Sequence, residues 1–184
     1  MRLMRNVSLA AIAALVLAAP AFAQKSSKPA DGSQLRADMR KLWEDHVTWT
    51  RVYIISVANG TADKDVTAGR LLQNQVDIGN AIKPFYGDEA GNKLTGLLKD
   101  HILGAAALLD AARAGDKAKT ESTKAAWYRN ADDVAAFLAG ANPKNWPLAD
   151  MKREMKMHLD LTLQESLDRF GGKFAEDIRD YDRV

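Results

Sequence analysis

Three histidines are the residues of this chain whose type and spacing best suit binding chemistry. His46, His101 and His158 each lie in a stripe of Leu, Met, Trp and Ala residues that recur at steps of three and four. Such steps place side chains on the helix face that packs against partner helices. Imidazoles bind transition metals, and three of them beside a carboxylate suit zinc, copper or iron. We therefore predict that the three histidines form one buried polar layer.

The elements that must position this layer are all helical. Stretches of period 3.6 predict helices over residues 33–58, 64–83, 89–114, 119–140 and 148–170, followed by a short helix from Phe174 to Tyr181. Asn59-Gly60, Pro84, Gly115 and Gly171-Gly172 end them. No stretch alternates with period two, so strands are not expected. The prediction is an all-α, antiparallel up-and-down helical bundle of four to five main helices plus a short C-terminal helix. A four-helix core with one helix laid across it is the alternative.

The midpoints of the predicted helices indicate that the polar residues share one height in the bundle. His46, His101 and His158 lie near the centres of three helices, and Asn74 and Asn130 lie near the centres of the other two. In an up-and-down bundle of similar helices these midpoints meet at the waist. Buried polar groups cost free energy unless they have partners, so such a layer must satisfy itself or hold a ligand.

Roles within the layer follow from residue type. The predicted metal ligands are His46, His101 and His158, with Asp77 or Glu165 supplying a carboxylate and Asp133 as a further choice. The predicted cofactor-binding partners, which would orient the rings, are Asn74, Asn130, Thr50 and Thr162.

Three interpretations of the layer stay open. It can be purely structural and hydrogen-bond within itself, it can bind a metal ion, or it can bind another small ligand. Met151, Met155 and Met157 precede His158, and thioethers beside imidazole suit copper or an axial pair on haem. The Glu-x-x-His pairs of di-iron bundles and the His-Glu-x-x-His zinc motif are absent from the sequence.

The N-terminal residues are typical of an exported protein. Arg2 and Arg5 precede an apolar stretch that ends in Ala21-Phe22-Ala23, so residues 1–23 are predicted to be a cleaved signal peptide. Residues 24–32 are predicted to be a disordered leader, and residues 33–184 a single bundle domain in the periplasm or outside the cell. We expect no transmembrane segment after cleavage.

Charge and cysteine content exclude several classes of function. Cleavage after Ala23 removes two basic residues and no acidic ones, which leaves 24 of each. A chain without net charge has no bulk attraction for nucleic acid or anionic membranes. The absence of cysteine excludes disulfides, thiolate zinc sites and iron–sulfur clusters. No phosphate-binding loop or nucleophile motif is present. The expected partner is a metal ion or small ligand, and the favoured class is a ligand-binding protein that holds a transition metal through the three-histidine layer. An enzyme that uses an open metal position and a protein-interaction bundle are the alternatives.

Five short motifs resemble those of a family of small exported bacterial helical proteins of unknown function. They are His46-Val-x-Trp-Thr-Arg51, Asn74-x-x-Asp-Ile-Gly-Asn80, Trp127-Tyr-x-Asn-Ala-Asp132, Asn142-Pro-x-Asn-Trp146 and His158-Leu-x-Leu-Thr162. The resemblance spans most of residues 33–184 and implies a helical bundle. Some members carry a glycosyltransferase label, but this sequence has neither an α/β nucleotide-sugar fold nor an Asp-x-Asp at a strand end.

Overall fold

A computed structural model describes residues 32–184, which form five helices. They are α1 (Gly32–Asn59), α2 (Lys64–Arg113), α3 (Lys117–Ala141), α4 (Leu148–Phe170) and α5 (Phe174–Tyr181). No strand occurs in this part of the chain, and the predicted all-α bundle is confirmed. Within the same residues, no helix combines the length and the hydropathy that a membrane crossing requires. The predicted signal peptide and nearly all of the predicted leader lie outside the described residues.

Helix α2 contains the two predicted helices 64–83 and 89–114, joined by a sharp bend at Gly87. The helix continues past Pro84, which was expected to end it, and turns at Gly87, where φ is 85° and ψ is 165°. Only glycine adopts this backbone conformation readily. The two arms pack so closely that a β-carbon on Gly79 would collide with Thr95 Oγ1 and lie 2.6 Å from the carbonyl oxygen of Gly91. Residues 32–184 therefore contain five long helical segments and a short sixth, as the sequence predicts.

Helices that follow one another along the chain pack against one another, whereas α1 and α4 touch only sparsely. The core is divided along its length. One cluster, around Ile54 and Leu71, lies on one side of the histidines, and another, around Ile78 and Leu98, lies on the other. In the sequence of each arm of α2, the polar residues of the layer fall between members of these two clusters. The sparse packing of α1 on α4 leaves space inside the bundle beside the layer.

Candidate functional site

A cavity of about 490 Å³ occupies one end of the bundle, beside the three histidines. All five long helical segments contribute to its walls, and aromatic side chains at Trp43, Tyr86 and Trp146 are partly exposed there. Its side chains with hydrogen-bonding groups are three imidazoles, one phenol and two indoles, and no charged side chain from residues 32–184 lines it. The lining residues are Leu35, Met39, Trp43, His46, Val47, Ile82, Tyr86, Leu94, Leu98, His101, Val134, Phe137, Leu138, Ala141, Trp146, Met151, Met155, His158 and Val184.

His101 is held by a hydrogen-bond chain that joins α2 to α3. Its Nδ1 lies 2.8 Å from Oδ1 of Asn130, and Nδ2 of Asn130 donates to the carbonyl oxygen of Leu97 at 3.1 Å. The ring is buried and lies against Trp127, with 5.4 Å between ring centroids. Asn130, a predicted partner, therefore fixes the ring of His101.

His46 is held by a second chain, which joins α1 to α2. Nε2 of Gln75 lies 3.2 Å from Nδ1 of His46 and 3.1 Å from Oδ1 of Asn74. Nδ2 of Asn74 in turn donates to the carbonyl oxygen of Leu42 at 3.0 Å. Asn74 is thus used in bridging α1 and α2, and it does not line the cavity.

His158 is the least constrained of the three histidines. Its side chain is partly buried and makes no hydrogen bond within residues 32–184, although it lines the cavity. Its ring stacks on that of His101, with 6.2 Å between centroids and 25° between planes. The layer is therefore only partly satisfied by its own hydrogen bonds.

Burial keeps the three imidazoles neutral. It lowers the pKa of His46 to about 4, with a smaller contribution from His158 and His101, which would repel it if charged. Burial likewise lowers the pKa of His101 to about 4, although its hydrogen bond to Asn130 acts in the opposite direction. The pKa of His158 is lowered by burial as well. At neutral pH the three imidazoles therefore carry no formal charge and offer lone pairs to the cavity.

The two threonines of the predicted layer border a second, smaller space of about 20 Å³, which His46 and His158 also line. Thr162 donates to the carbonyl oxygen of His158 within its own helix, at 2.8 Å. Thr50 Oγ1 is buried and has no hydrogen-bond partner within residues 32–184. Neither threonine hydroxyl bonds to a histidine ring in the arrangement described.

The three predicted carboxylates lie in different surroundings, and Asp133 is exposed and lines neither space. Glu165 is buried at the small space and pairs with Arg51 at 2.7 Å. Burial raises the pKa of Glu165 in spite of this pairing. Asp77 accepts a hydrogen bond from Gln73 at 3.0 Å, one turn earlier on α2, and lines neither space. The structure therefore brings Glu165, but not Asp77, near the histidines.

An ion network that was not predicted from the sequence lies next to the small space and joins α1, α4 and α5. Arg51 forms a two-pronged ion pair with Asp177, which is fully buried on α5, and Arg169 lies 3.3 Å from the same carboxylate. Burial alone would raise the pKa of Asp177, but Arg51 and Arg169 outweigh it and lower that pKa. Arg51 also lies over the ring of Tyr181, 5.1 Å from its centroid. This network ties α5 across α1 and α4.

The signal for this network was present in the sequence. Asp177 lies three residues after Phe174 and four before Tyr181, so it falls on the apolar face of the last helix. An acid on such a face needs a basic partner. Its partner Arg51 lies 126 positions away, and only the fold identifies it.

The donor set does not form a ready metal site. Within residues 32–184, no three or more histidine, aspartate or glutamate side chains are arranged to hold a metal ion. His101 and His158 are stacked, so a shared ion would require a rotation of at least one ring. The site as described is an apolar cavity with a wall of neutral imidazoles.

Comparisons with protein-family models, with curated proteins and with solved structures give no match for this chain. The family resemblance of the five motifs therefore stays a prediction. The function is argued below from the geometry of the site.

Proposed function

We propose that this protein binds an uncharged, largely apolar small molecule in the cavity, where the histidine layer contacts the polar group of the ligand. The observation that carries the proposal is the cavity of about 490 Å³, lined by apolar side chains, a phenol and three imidazoles, with no charged side chain. Cavities that bind small molecules in proteins measure about 300–1,000 Å³ and combine apolar walls with a few polar groups.

The electrostatics of the cavity support an uncharged ligand. The lowered pKa values of His46 and His101, both about 4, leave no positive charge to pair with an anion at neutral pH. None of the acidic side chains in the described part of the chain lines the cavity to pair with a cation. Transfer of an unpaired charge from water into such surroundings costs several kcal/mol or more, so a charged ligand would be disfavoured.

The test is a titration with the uncharged fluorescent probe N-phenyl-1-naphthylamine, comparing the wild type with two Trp substitutions on α3. Ala141 lines the cavity, so Ala141→Trp should fill part of it and weaken binding by about tenfold or more. Ala136 is exposed on the same helix and lines no part of the cavity, so Ala136→Trp should bind like the wild type.

Circular dichroism should show that both variants are folded. Equal binding by the wild type and Ala141→Trp would place the probe elsewhere and contradict the proposal, as would an absence of binding by the wild type.

A transition metal ion, with zinc, copper or iron as candidates, is the second candidate ligand. The observation in its favour is that three unprotonated imidazoles, the form that binds metals, line one cavity. Binding would require movement of the stacked rings of His101 and His158. Addition of each metal to metal-free protein should raise the melting temperature, and His158→Ala should remove that rise. No rise with any of the three metals would contradict this candidate.

A purely structural role for the layer is the alternative to both ligands. The hydrogen bonds of His46 and His101 bridge α1 to α2 and α2 to α3, and buried polar contacts of this kind can fix helix register. If neither the probe nor any metal binds, this interpretation is favoured, and the cavity would be a packing defect.

We also propose that the protein is exported. The support is the basic, apolar and Ala-Phe-Ala pattern of residues 1–23. N-terminal sequencing of protein recovered from the periplasm or the medium should begin at Gln24. Recovery of the full chain from the cytoplasm alone, starting at Met1, would contradict export.

A further inference from the structure

We infer that the ligand of this cavity carries a hydroxyl group whose proton is accepted by Nε2 of His101, and that Asn130 is the residue that positions this acceptor. The inference rests on the proposed function, because it concerns the same cavity. It narrows the ligand class from apolar molecules in general to alcohols and phenols.

The orientation of the Asn130 amide is fixed by its neighbours. The carbonyl oxygen of Leu97 can only accept, so the group that faces it at 3.1 Å must be the amide nitrogen of Asn130. The amide oxygen then faces His101 Nδ1 at 2.8 Å. A flipped amide would set two oxygens against each other at Leu97.

This orientation determines which nitrogen of His101 carries the proton. An amide oxygen accepts a hydrogen bond and cannot donate one, so Nδ1 of His101 must be the protonated nitrogen. The neutral ring has one proton, and its other nitrogen, Nε2, then holds a lone pair. No residue among 32–184 donates a hydrogen bond to Nε2, while the buried ring lines the cavity.

The lone pair of Nε2 is therefore an acceptor of known identity that the protein offers at this wall. A ligand donor can be a hydroxyl group, an uncharged N–H group or an ammonium group. An ammonium group would bring a positive charge to a cavity in which residues 32–184 place no acidic side chain. Of the two uncharged donors, a hydroxyl group forms the shorter hydrogen bond. The surrounding Leu98, Val134 and Met155 suit an apolar body attached to that hydroxyl.

The experiment compares 4-butylphenol with 4-butylanisole, which has the same ring and chain but no hydroxyl proton. Calorimetric titration of the full chain should give about tenfold tighter binding of the phenol, the size expected for one hydrogen bond. His101→Leu should bring the phenol down to the affinity of the anisole. Asn92→Leu changes an exposed residue of the same helix that lines no part of the cavity, so it should keep the preference.

Nitrogen-15 spectra of the side chains provide a second readout, which a merely structural histidine would not give. In the wild type without ligand, Nδ1 of His101 should be protonated and Nε2 unprotonated, and 4-butylphenol should shift the Nε2 signal. Asn130→Leu removes the fixed acceptor, so the ring should become a mixture of both tautomers and the preference for the phenol should fall. This readout applies even if His101→Leu does not fold.

The outcomes separate this inference from the proposed function. Equal affinity of the wild type for the phenol and the anisole, or a preference that is kept in His101→Leu, would overturn the inference and leave apolar binding intact. Protonation of His101 at Nε2 would overturn it whatever the affinities. If neither compound binds, the proposed function and this inference fall together.

Discussion

Acidification from pH 7.5 to pH 5.0 should sharply destabilise the folded protein, because its buried histidines resist protonation. The pKa values of His46 and His101 are about 4 in the folded chain, against 6.5 for a free imidazole. In this pH window the unfolded chain binds more protons than the folded chain does. The stability that the two neutral histidines contribute is therefore fully present above pH 6.5, and it is lost as the pH falls towards 4.

The size of the loss follows from these pKa values. At pH 5.0 an imidazole with a pKa of 6.5 is almost fully protonated when unfolded, while one with a pKa of about 4 is mostly neutral when folded. Each histidine then costs about 2 kcal/mol, and the two together cost about 4 kcal/mol. His158, whose pKa is lowered too, adds to the loss. Domains of this size have a total stability of about 5–15 kcal/mol, so the effect should be large.

The assay is urea unfolding followed by tryptophan fluorescence at pH 7.5 and pH 5.0. The chain has only three histidines, so the double variant His46→Gln/His101→Gln should recover most of the loss. Carboxylates interfere little in this window. Glu165, with its raised pKa, would act in the opposite direction, and Asp177 titrates lower. A wild type equally stable at both pH values, or a double variant with the full loss, would refute the reasoning.

Two further predictions concern the packing of the bundle and are read from urea unfolding. Gly79→Ala should destabilise the protein by about 1–3 kcal/mol because the new methyl group would collide with the other arm of α2. Gly96→Ala is the control, at an open and exposed helix position, and should stabilise the protein by about 0.5–1 kcal/mol. The explanation fails if the two substitutions act alike. Asp177→Asn should lower the free energy of unfolding by about 3 kcal/mol, because Arg51 loses one of its two carboxylate partners. Glu176→Gln changes an exposed ion pair and should lower it by less than about 0.5 kcal/mol. If Asp177→Asn lowers the free energy of unfolding no more than Glu176→Gln does, the ion network does not stabilise the fold as described.

Much of the fold could be predicted because helical spacing and helix ends are local properties of the sequence. The steps of three and four around the histidines predict inward-facing rings, and in the structure all three line one cavity. The first arm of α2 was predicted to end at Pro84, but the helix runs on to Gly87, which adopts the conformation that the turn uses. Proline disfavours a helix but keeps its own φ negative, whereas Gly87 turns the chain with a positive φ.

The remaining features of the site depend on distances between helices, which spacing along the sequence does not determine. The volume of the cavity depends on how sparsely α1 packs on α4. Asn74 was predicted to border the ligand, but its amide nitrogen donates a hydrogen bond to a backbone carbonyl oxygen of α1. Likewise, the pairing of Glu165 with Arg51 joins residues 114 positions apart, and no local pattern indicates it.

The measurement that tests the central claim most directly is a methyl NMR titration of methionine-labelled protein with 4-butylphenol. Met39, Met151 and Met155 line the cavity, whereas Met157 is 51% exposed and does not. If the cavity is a binding site, the methyl signals of the first three should shift with one common affinity, and that of Met157 should stay in place. If all four stay in place, or if Met157 alone shifts, the cavity does not bind this ligand and the account is contradicted.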